Sequence, residues 1–358
     1  MGESEPVVLA LTSDESYFPG VYCAIASALS AVDPARKVDV KVLDGGLSQS
    51  SRDALSRLTD RISGDVDLEF VTADASVFGT ATLGPGQSHM TYCRILLPQL
   101  VHVPRLIYLD CDVLVFRDLS ELFDFEMTSD KVLAAVPDSE TLSLSQDSLV
   151  LTKAMNLPMK GAYFNCGVML MNLGELREQR FYERAVELLT SRTRHYRFWD
   201  QSAINFLLHG QIDTLPEYWN RASWRFDAQQ NNDLDCVLHY TTHAPWFGGS
   251  RTPSQVLFET FAEEAAFPVN RQSSEFKRSV RRSSWGNALA PVRAFVFPIW
   301  SFLYGIAGKK EKSAAYNKVA RYWSDHIRSR SSRRELHQRR NEEIIKMKFN
   351  LRTSALAS

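Results

Sequence analysis

The chain begins by alternating two hydrophobic periods. Pro6–Leu11 is a short continuous apolar run that reads as a buried strand, and the polar loop Thr12–Ser16 follows it. Tyr17–Leu29 then carries small and apolar residues over helical length, with Asp33-Pro34 marking its exit. Val38–Leu43 reads as a second strand, Ser48–Arg61 as a helix with Leu55 and Leu58 on one face, and Leu68–Val71 as a third strand. Strand–helix–strand–helix–strand predicts an α/β domain with a mostly parallel, doubly wound sheet.

Further along, Gly79–Ser88 is a glycine-rich loop and Ser88–Leu97 a helix stopped by Pro98. Arg105–Leu109 is the fourth strand and runs straight into Asp110-Cys111-Asp112; Val132–Val136 is another and ends at Pro137-Asp138. Ser139–Lys160 has no clear periodicity and is expected to form a mobile flap over a site. Gly167–Asn172 reads as a strand, and Phe181–Leu189 as a helix with Phe181, Ala185, Leu188 and Leu189 on one face. Cys236–Tyr240 is the last apolar strand. The composition shifts beyond Pro268, so the expected domains are 1–268 and 269–358.

Charge sharpens that boundary. The formal net charge of -1 hides an asymmetry: residues 271–358 hold 20 Lys/Arg and 6 Asp/Glu, against 21 and 36 in the first 270. The five cysteines are scattered through apolar runs with no metal-ligand spacing, which fits a reducing compartment. Met1–Glu5 is acidic and leads directly into a strand, unlike a signal peptide, and the apolar run Ala294–Ile306 is too short to span a bilayer. The expected location is the cytoplasm or the cytoplasmic face of a membrane.

The Asp110-Cys111-Asp112 step carries the most chemistry. Two carboxylates spaced i and i+2 emerge from the carboxyl end of a buried strand, where open α/β sheets hold their ligands. Ionised side by side they repel, unless a cation sits between them. A divalent metal bridging to a diphosphate answers that arrangement; acidic pairs also close ordinary turns. Arg94, on a helix among Tyr92, Ile95 and Leu96, needs a partner, for which a phosphate, a sugar hydroxyl or a carboxylate each serves. Asp14, Ser16 and Asp200 stand where helix N-caps also occur, and His239 where a hydrogen-bonded core histidine also fits.

Taken in order, a set of segments resembles the family 8 glycosyltransferases. That retaining group includes bacterial lipopolysaccharide galactosyl- and glucosyltransferases and, more distantly, glycogenin. The segments are Leu11–Tyr17, Thr91–Arg94, Leu106–Val115, Tyr163–Asn172, Trp199-Asp200-Gln201, His239-Tyr240 and Pro245-Trp246, so the likeness covers residues 7–248. It implies a GT-A-type nucleotide-binding domain that uses a UDP-hexose, UDP-galactose or UDP-glucose. Thr12 and Asp14 would hold the uracil, with Ser16 near the ribose or phosphate, although the family prefers Asn at the position of Ser16. Asp110 and Asp112 would hold the metal with His239 as third ligand. Oxygen ligands suit Mn²⁺ or Mg²⁺, and the added imidazole favours Mn²⁺. Arg94, Cys111 and Asn165 would line the donor site, with Asp138 and Asp200 at the sugar hydroxyls and Gln201 on the face opposite the leaving group. The family lysine before Pro-Trp is Ala244 here, which leaves His243 or Arg251 to supply positive charge on the diphosphate.

The tail interleaves Arg and Lys with Phe295, Phe297, Trp300, Phe302, Tyr322 and Trp323, as an interfacial segment on an anionic leaflet does. No nucleic-acid recognition motif accompanies the charge, and a helical hairpin packed on the catalytic domain is the plainer alternative. The expected activity is therefore metal-dependent, retaining hexose transfer to a cell-envelope saccharide such as lipopolysaccharide, probed against a soluble or protein acceptor and against a silent nucleotide-sugar-binding module.

Overall fold

The computed structural model describes residues 5–62, 65–81, 83, 89–191, 196–228, 234–241, 244–247 and 252–265. Most of the expected glycine-rich loop, His243, Arg251 and the basic 269–358 segment lie outside the described residues. The chain divides into two compact units, Met1–Asn220 and Arg221–Ser358.

In the first unit the described strands are β1 (Val7–Ser13), β2 (Val38–Asp44), β3 (Val66–Thr72), β4 (Arg105–Leu109), β5 (Val113–Val115), β6 (Leu133–Pro137), β7 (Phe164–Asn172) and β8 (Ile212–Thr214). Seven of them form one sheet in the order β3-β2-β1-β4-β7-β6-β8. The pairs β1–β2, β2–β3, β1–β4 and β6–β8 are parallel, and β7 runs antiparallel to both neighbours. Every residue of β1 is buried, as a central strand covered on both faces requires, whereas β3 at the edge is half-buried or exposed throughout.

The helix Phe18–Ala31 is buried almost all round, which its small residues permit, and Pro19 sits in the first turn, where its missing N–H costs nothing. The helix Gln49–Arg61 is capped by Ser48 and buries Ala54, Leu55 and Leu58 on one face. One expectation is corrected. Pro98 does not stop a helix: the 3-10 turn His89–Leu96 passes into the short helix Leu97–Leu100, with Pro98 in its first turn. Within residues 139–160 short helices occupy Leu144–Asp147 and Leu149–Ala154. Leu144 anchors that segment in a core with Tyr163 and Phe206, and Asp147 accepts from the Arg197 N–H at 2.7 Å. Ser148 caps the second helix by accepting from Leu151 N, so side-chain capping makes these turns where apolar period does not.

In the second unit β9 (Arg221–Ala222) and β10 (Val237–His239) pair in parallel. The helix Pro253–Glu264, capped by Thr252, buries Leu257, Phe258 and Phe261. Its first turn is anchored by the half-buried Asp227, which accepts from Ser254 N at 2.7 Å and Ser254 Oγ at 2.8 Å. Among the described residues no helix is long and apolar enough to cross a membrane.

Candidate active site

The strand order reverses at β1. The chain lays β2 and β3 on one side of it, then returns to place β4 on the other, and the crevice at the carboxyl ends of such neighbours is where open α/β sheets bind ligands. Ala10 pairs with Tyr108, so two residues further on Thr12 and Asp110 stand at the same level of adjacent strands. Antiparallel β7 starts at this edge, because Leu109 pairs with Val168 and Asp110 N donates to Gly167 O at 2.8 Å. β6 ends there too, with Val136 opposite Asn165 across a register break after Ala135. Such irregularities re-aim side chains beside functional sites, and this one delivers Asp138, Asn165 and Cys166 to the edge that holds Asp110.

The loop after β1 is fixed from within. Asp14 caps the turn Glu15–Tyr17, accepting from Ser16 N at 3.0 Å and Tyr17 N at 3.3 Å. Glu15 accepts from Ser48 N at 2.8 Å and Ser51 Oγ at 2.9 Å, which ties this loop to the start of the second helix. Ser16 is exposed. The half-buried Tyr17 phenol is pushed up to about 12 by burial, with the nearby Cys111 thiol and the Asp112, Asp14 and Asp110 carboxylates adding to it, so it stays neutral beside the carboxylates.

Arg94 is the node of the site. Its Nε lies 2.6 Å from Asp200 Oδ2 and one terminal nitrogen 2.8 Å from Asp110 Oδ1. The other terminal nitrogen donates to the Cys166 carbonyl, and the guanidinium lies 4.7 Å over the Tyr108 ring. Of the partners open to it in the sequence, the fold supplies carboxylates. Burial opposes the Arg94 charge, but Asp110 and Asp200 hold its pKa well above the ordinary arginine range. For Asp200, only 2 % exposed, burial outweighs Arg94 and the Asp110 charge adds to it, raising the carboxyl from 3.8 to about 6. Tyr108 donates its hydroxyl to Asp110 Oδ1 at 2.8 Å and shares a 3.3 Å hydrogen bond with Thr12 Oγ1.

A second polar group adjoins it. The Asp138 Oδ2 accepts from Asn165 at 3.3 Å and from Gln201 at 3.4 Å, while its Oδ1 takes the N–H groups of Glu140 and Thr141, both at 2.7 Å. Gln201 Oε1 accepts from Cys166 N at 3.0 Å, and Asn165 Oδ1 accepts from Gly167 N at 3.0 Å and Asn220 Nδ2 at 2.8 Å. Trp199, immediately before Asp200, has φ of 50°, a left-handed conformation that costs a bulky residue of order 1–3 kcal/mol and clusters at functional sites. Behind it, Asn205 pins the Trp199–Leu207 helix to β7: it accepts from Phe164 N at 2.7 Å and donates to Phe164 O at 2.9 Å. Phe164 lies opposite Pro137, which has no N–H to give.

In the second unit His239 ends β10 and is 5 % exposed. The neighbouring motif residues form a small core: Tyr240 stands edge-on to Phe258 at 5.7 Å and Trp246 lies 6.1 Å from the same ring. Tyr240 also donates to Ser254 O at 2.7 Å, and Gln255 to Pro245 O at 2.7 Å. Ala244 is half-buried.

The first unit thus brings together Thr12, Arg94, Asp110, Asp138, Asn165, Asp200 and Gln201, with half-buried Cys111 and Asp112 next in sequence to Asp110. Sequence reasoning missed Tyr17, Thr91, Tyr108, Asn205 and Asn220. Thr91 donates to Asp200 at 3.3 Å. Tyr108 was legible by strand period, being two residues before Asp110; nothing local marks Asn205 or Asn220, which act through long-range hydrogen bonds.

This is the edge of a mostly parallel α/β sheet of GT-A type, furnished with clustered carboxylates and amides. The model of the family "Glycosyl transferase family 8" matches residues 8–248, and the chain belongs to that family of glycosyltransferases. It is similar to general stress protein A of Bacillus subtilis, at 28% identity over 272 residues, which is 71% of this chain and 92% of that protein. It is also similar to a lipopolysaccharide 1,2-glucosyltransferase of Escherichia coli K12, at 28% identity over half of this chain and 55% of that protein. Among solved structures, the galactosyltransferase LgtC in complex with donor and acceptor sugar analogs superposes with a TM-score of 0.61 at 22% identity, covering 76% of this chain and all of that one.

Proposed function

We propose that this glycosyltransferase moves a hexose, galactose or glucose, from a UDP-sugar to a saccharide of the cell envelope with retention at the anomeric carbon. The observation that carries the reading is the Arg94 node, which ties Asp110, the first carboxylate of the DxD, to Asp200, the residue that precedes Gln201. The resemblance to lipopolysaccharide glucosyltransferases supports the substrate class.

Two carboxylates and an imidazole, from Asp110, Asp112 and His239, are a donor set that suits Mn²⁺, with Mg²⁺ the harder alternative. When bound, such an ion neutralises charge on the departing diphosphate without a proton. The chain's own groups do the rest. Thr12 and Asp14 hold the uracil, and Ser16, Cys111 and Arg94 border the donor. Asp138, Asn165 and Asp200 orient the sugar hydroxyls. Gln201 lies on the sugar face away from the leaving group, where a neutral amide is a poor nucleophile; attack therefore proceeds from the front face, the leaving phosphate taking the acceptor proton. With Ala244 in place of the family lysine, His243 or Arg251 supplies the remaining positive charge. The basic, aromatic 269–358 segment holds the enzyme on the inner face of an anionic membrane, near a lipid-linked acceptor.

The test is UDP release from UDP-galactose and UDP-glucose with and without Mn²⁺, in the wild type and in Asp110→Asn, Asp112→Asn and His239→Ala. Losing a metal-site group is expected to cut metal-dependent turnover roughly 10- to 100-fold or more. Wild-type activity in Asp110→Asn or Asp112→Asn rejects the metal reading. Donor binding without turnover in the wild type favours a silent nucleotide-sugar module.

A further inference from the structure

Tyr108 lies in the interior of β4, fully buried, at a position where a phenylalanine would fill the same space. Its hydroxyl nevertheless meets two polar groups from two strands. Tyr108 and Asp110 are i and i+2, so their side chains leave the same face of the chain. Thr12 reaches that face from the adjacent parallel strand, two residues beyond Ala10, the register partner of Tyr108. The phenol has a single proton. At 2.8 Å from a carboxylate oxygen that proton belongs on Asp110, and the 3.3 Å contact is then filled by the Thr12 hydroxyl donating to the phenol oxygen. A directed chain results, from Thr12 through Tyr108 to Asp110.

The consequence for Asp110 follows from its other partner. Arg94 contacts the same oxygen, Oδ1, at 2.8 Å. Two donors converging on one oxygen fix the rotation of the carboxylate about its Cβ–Cγ bond, and with it the direction of the other oxygen. Arg94 supplies the charge, but it also serves Asp200 and the Cys166 carbonyl, so its position is a compromise among three acceptors. The phenol makes no such compromise, held by the strand it belongs to. We infer that Tyr108 is a positioning residue for the cation site: its hydroxyl orients the Asp110 carboxylate toward a divalent ion and links that carboxylate to Thr12 in the nucleotide crevice. This rests on the reading of Asp110 as a metal ligand.

The experiment uses the full chain and two probes, UDP and Mn²⁺, followed by calorimetry. Tyr108→Phe keeps the ring under Arg94 and the volume in the core, and removes only the hydroxyl. Partners behind a metal ligand typically change metal affinity by 10- to 100-fold when lost, so half-saturation by Mn²⁺ in the presence of UDP is expected to rise by about 10-fold or more. UDP affinity without metal is expected to stay within about 2-fold, a change too small to register as a lost interaction. Thr12→Val removes the far end of the chain together with the uracil contact proposed for that hydroxyl, so UDP affinity is expected to fall with and without metal, and the Mn²⁺ requirement relative to metal-free binding to rise in the same direction by less. Tyr22→Phe, a buried tyrosine elsewhere in the unit, controls for loss of any phenol. An unchanged Mn²⁺ requirement in Tyr108→Phe overturns the inference, as does an equal loss of UDP affinity with and without metal. A wild type whose UDP binding ignores Mn²⁺ overturns the metal reading itself, which no result with Tyr108→Phe alone does.

Discussion

Replacing Arg94 by methionine tests whether one cation holds the site together. Methionine keeps the length and the apolar stem of the side chain, and fits beside Tyr92 and Ile95, but leaves Asp110 and Asp200 facing each other without the charge that now lies 2.8 Å and 2.6 Å from them. Removing one partner from a buried ion pair costs about 3–5 kcal/mol, because the remaining charge is stranded away from water. For a body of 150–250 residues each kcal/mol lowers Tm by about 2–4 °C, so a fall of about 6–20 °C is expected. Arg94→Lys should fall between the two, since an ammonium keeps the charge but not the fork that serves Asp200, Asp110 and the Cys166 carbonyl at once. Adding Asp200→Asn to Arg94→Met removes one stranded charge, and the two changes should be non-additive by about 1 kcal/mol or more. The assay is a set of urea and thermal melts of the wild type, Arg94→Met, Arg94→Lys, Asp200→Asn and the double variant at one pH and without divalent metal. A drop below about 1 kcal/mol in Arg94→Met, or simple additivity in the double variant, refutes the node.

Asp200, at about 6, should give the acid limb of the donor kcat/KM profile: as pH falls through that value the carboxyl takes up a proton, Arg94 loses a charged partner, and activity falls. For stability the sign is opposite, because a carboxyl raised from 3.8 favours the native state below about pH 4 and that gain is lost as pH rises through 6. An Asp200→Asn profile that keeps the same inflection assigns it to another group. The basic tail is tested by sedimentation with anionic and neutral vesicles. Each well-placed Lys or Arg contributes about 1 kcal/mol near an anionic surface, so binding should weaken with salt and vanish on neutral lipid. Equal, negligible binding to both rejects the membrane role.

Much of this protein is written in its one-dimensional pattern. β1 and β4 carry continuous apolar runs because central strands are covered on both faces, whereas β2 alternates Val38, Val40 and Val42 with Asp39 and Lys41, and both patterns are read without knowledge of the neighbouring strands. Asp14, Asp110, Asp112 and Asp138 follow strand ends in the sequence itself, and the family's motifs are short and local. Other features exist only after folding. The two turns between 144 and 154 carry no apolar period, since they are made by Ser148 as a cap and Leu144 as an anchor against Tyr163 and Phe206. Arg94 had three kinds of partner open to it, and the choice of carboxylates was made when β4 and the Trp199–Leu207 helix converged on it from positions 16 and 106 residues away. Asn205 and Asn220 are ordinary amides in sequence; they become part of the site because Asn205 pairs with both backbone groups of Phe164, which faces a proline in β6, and Asn220 donates to Asn165 Oδ1. The sequence determines which chemistry is present and at which strand ends. Hydrogen-bond satisfaction and charge pairing in a buried interior, which are properties of distance in space, decide which of those groups act together.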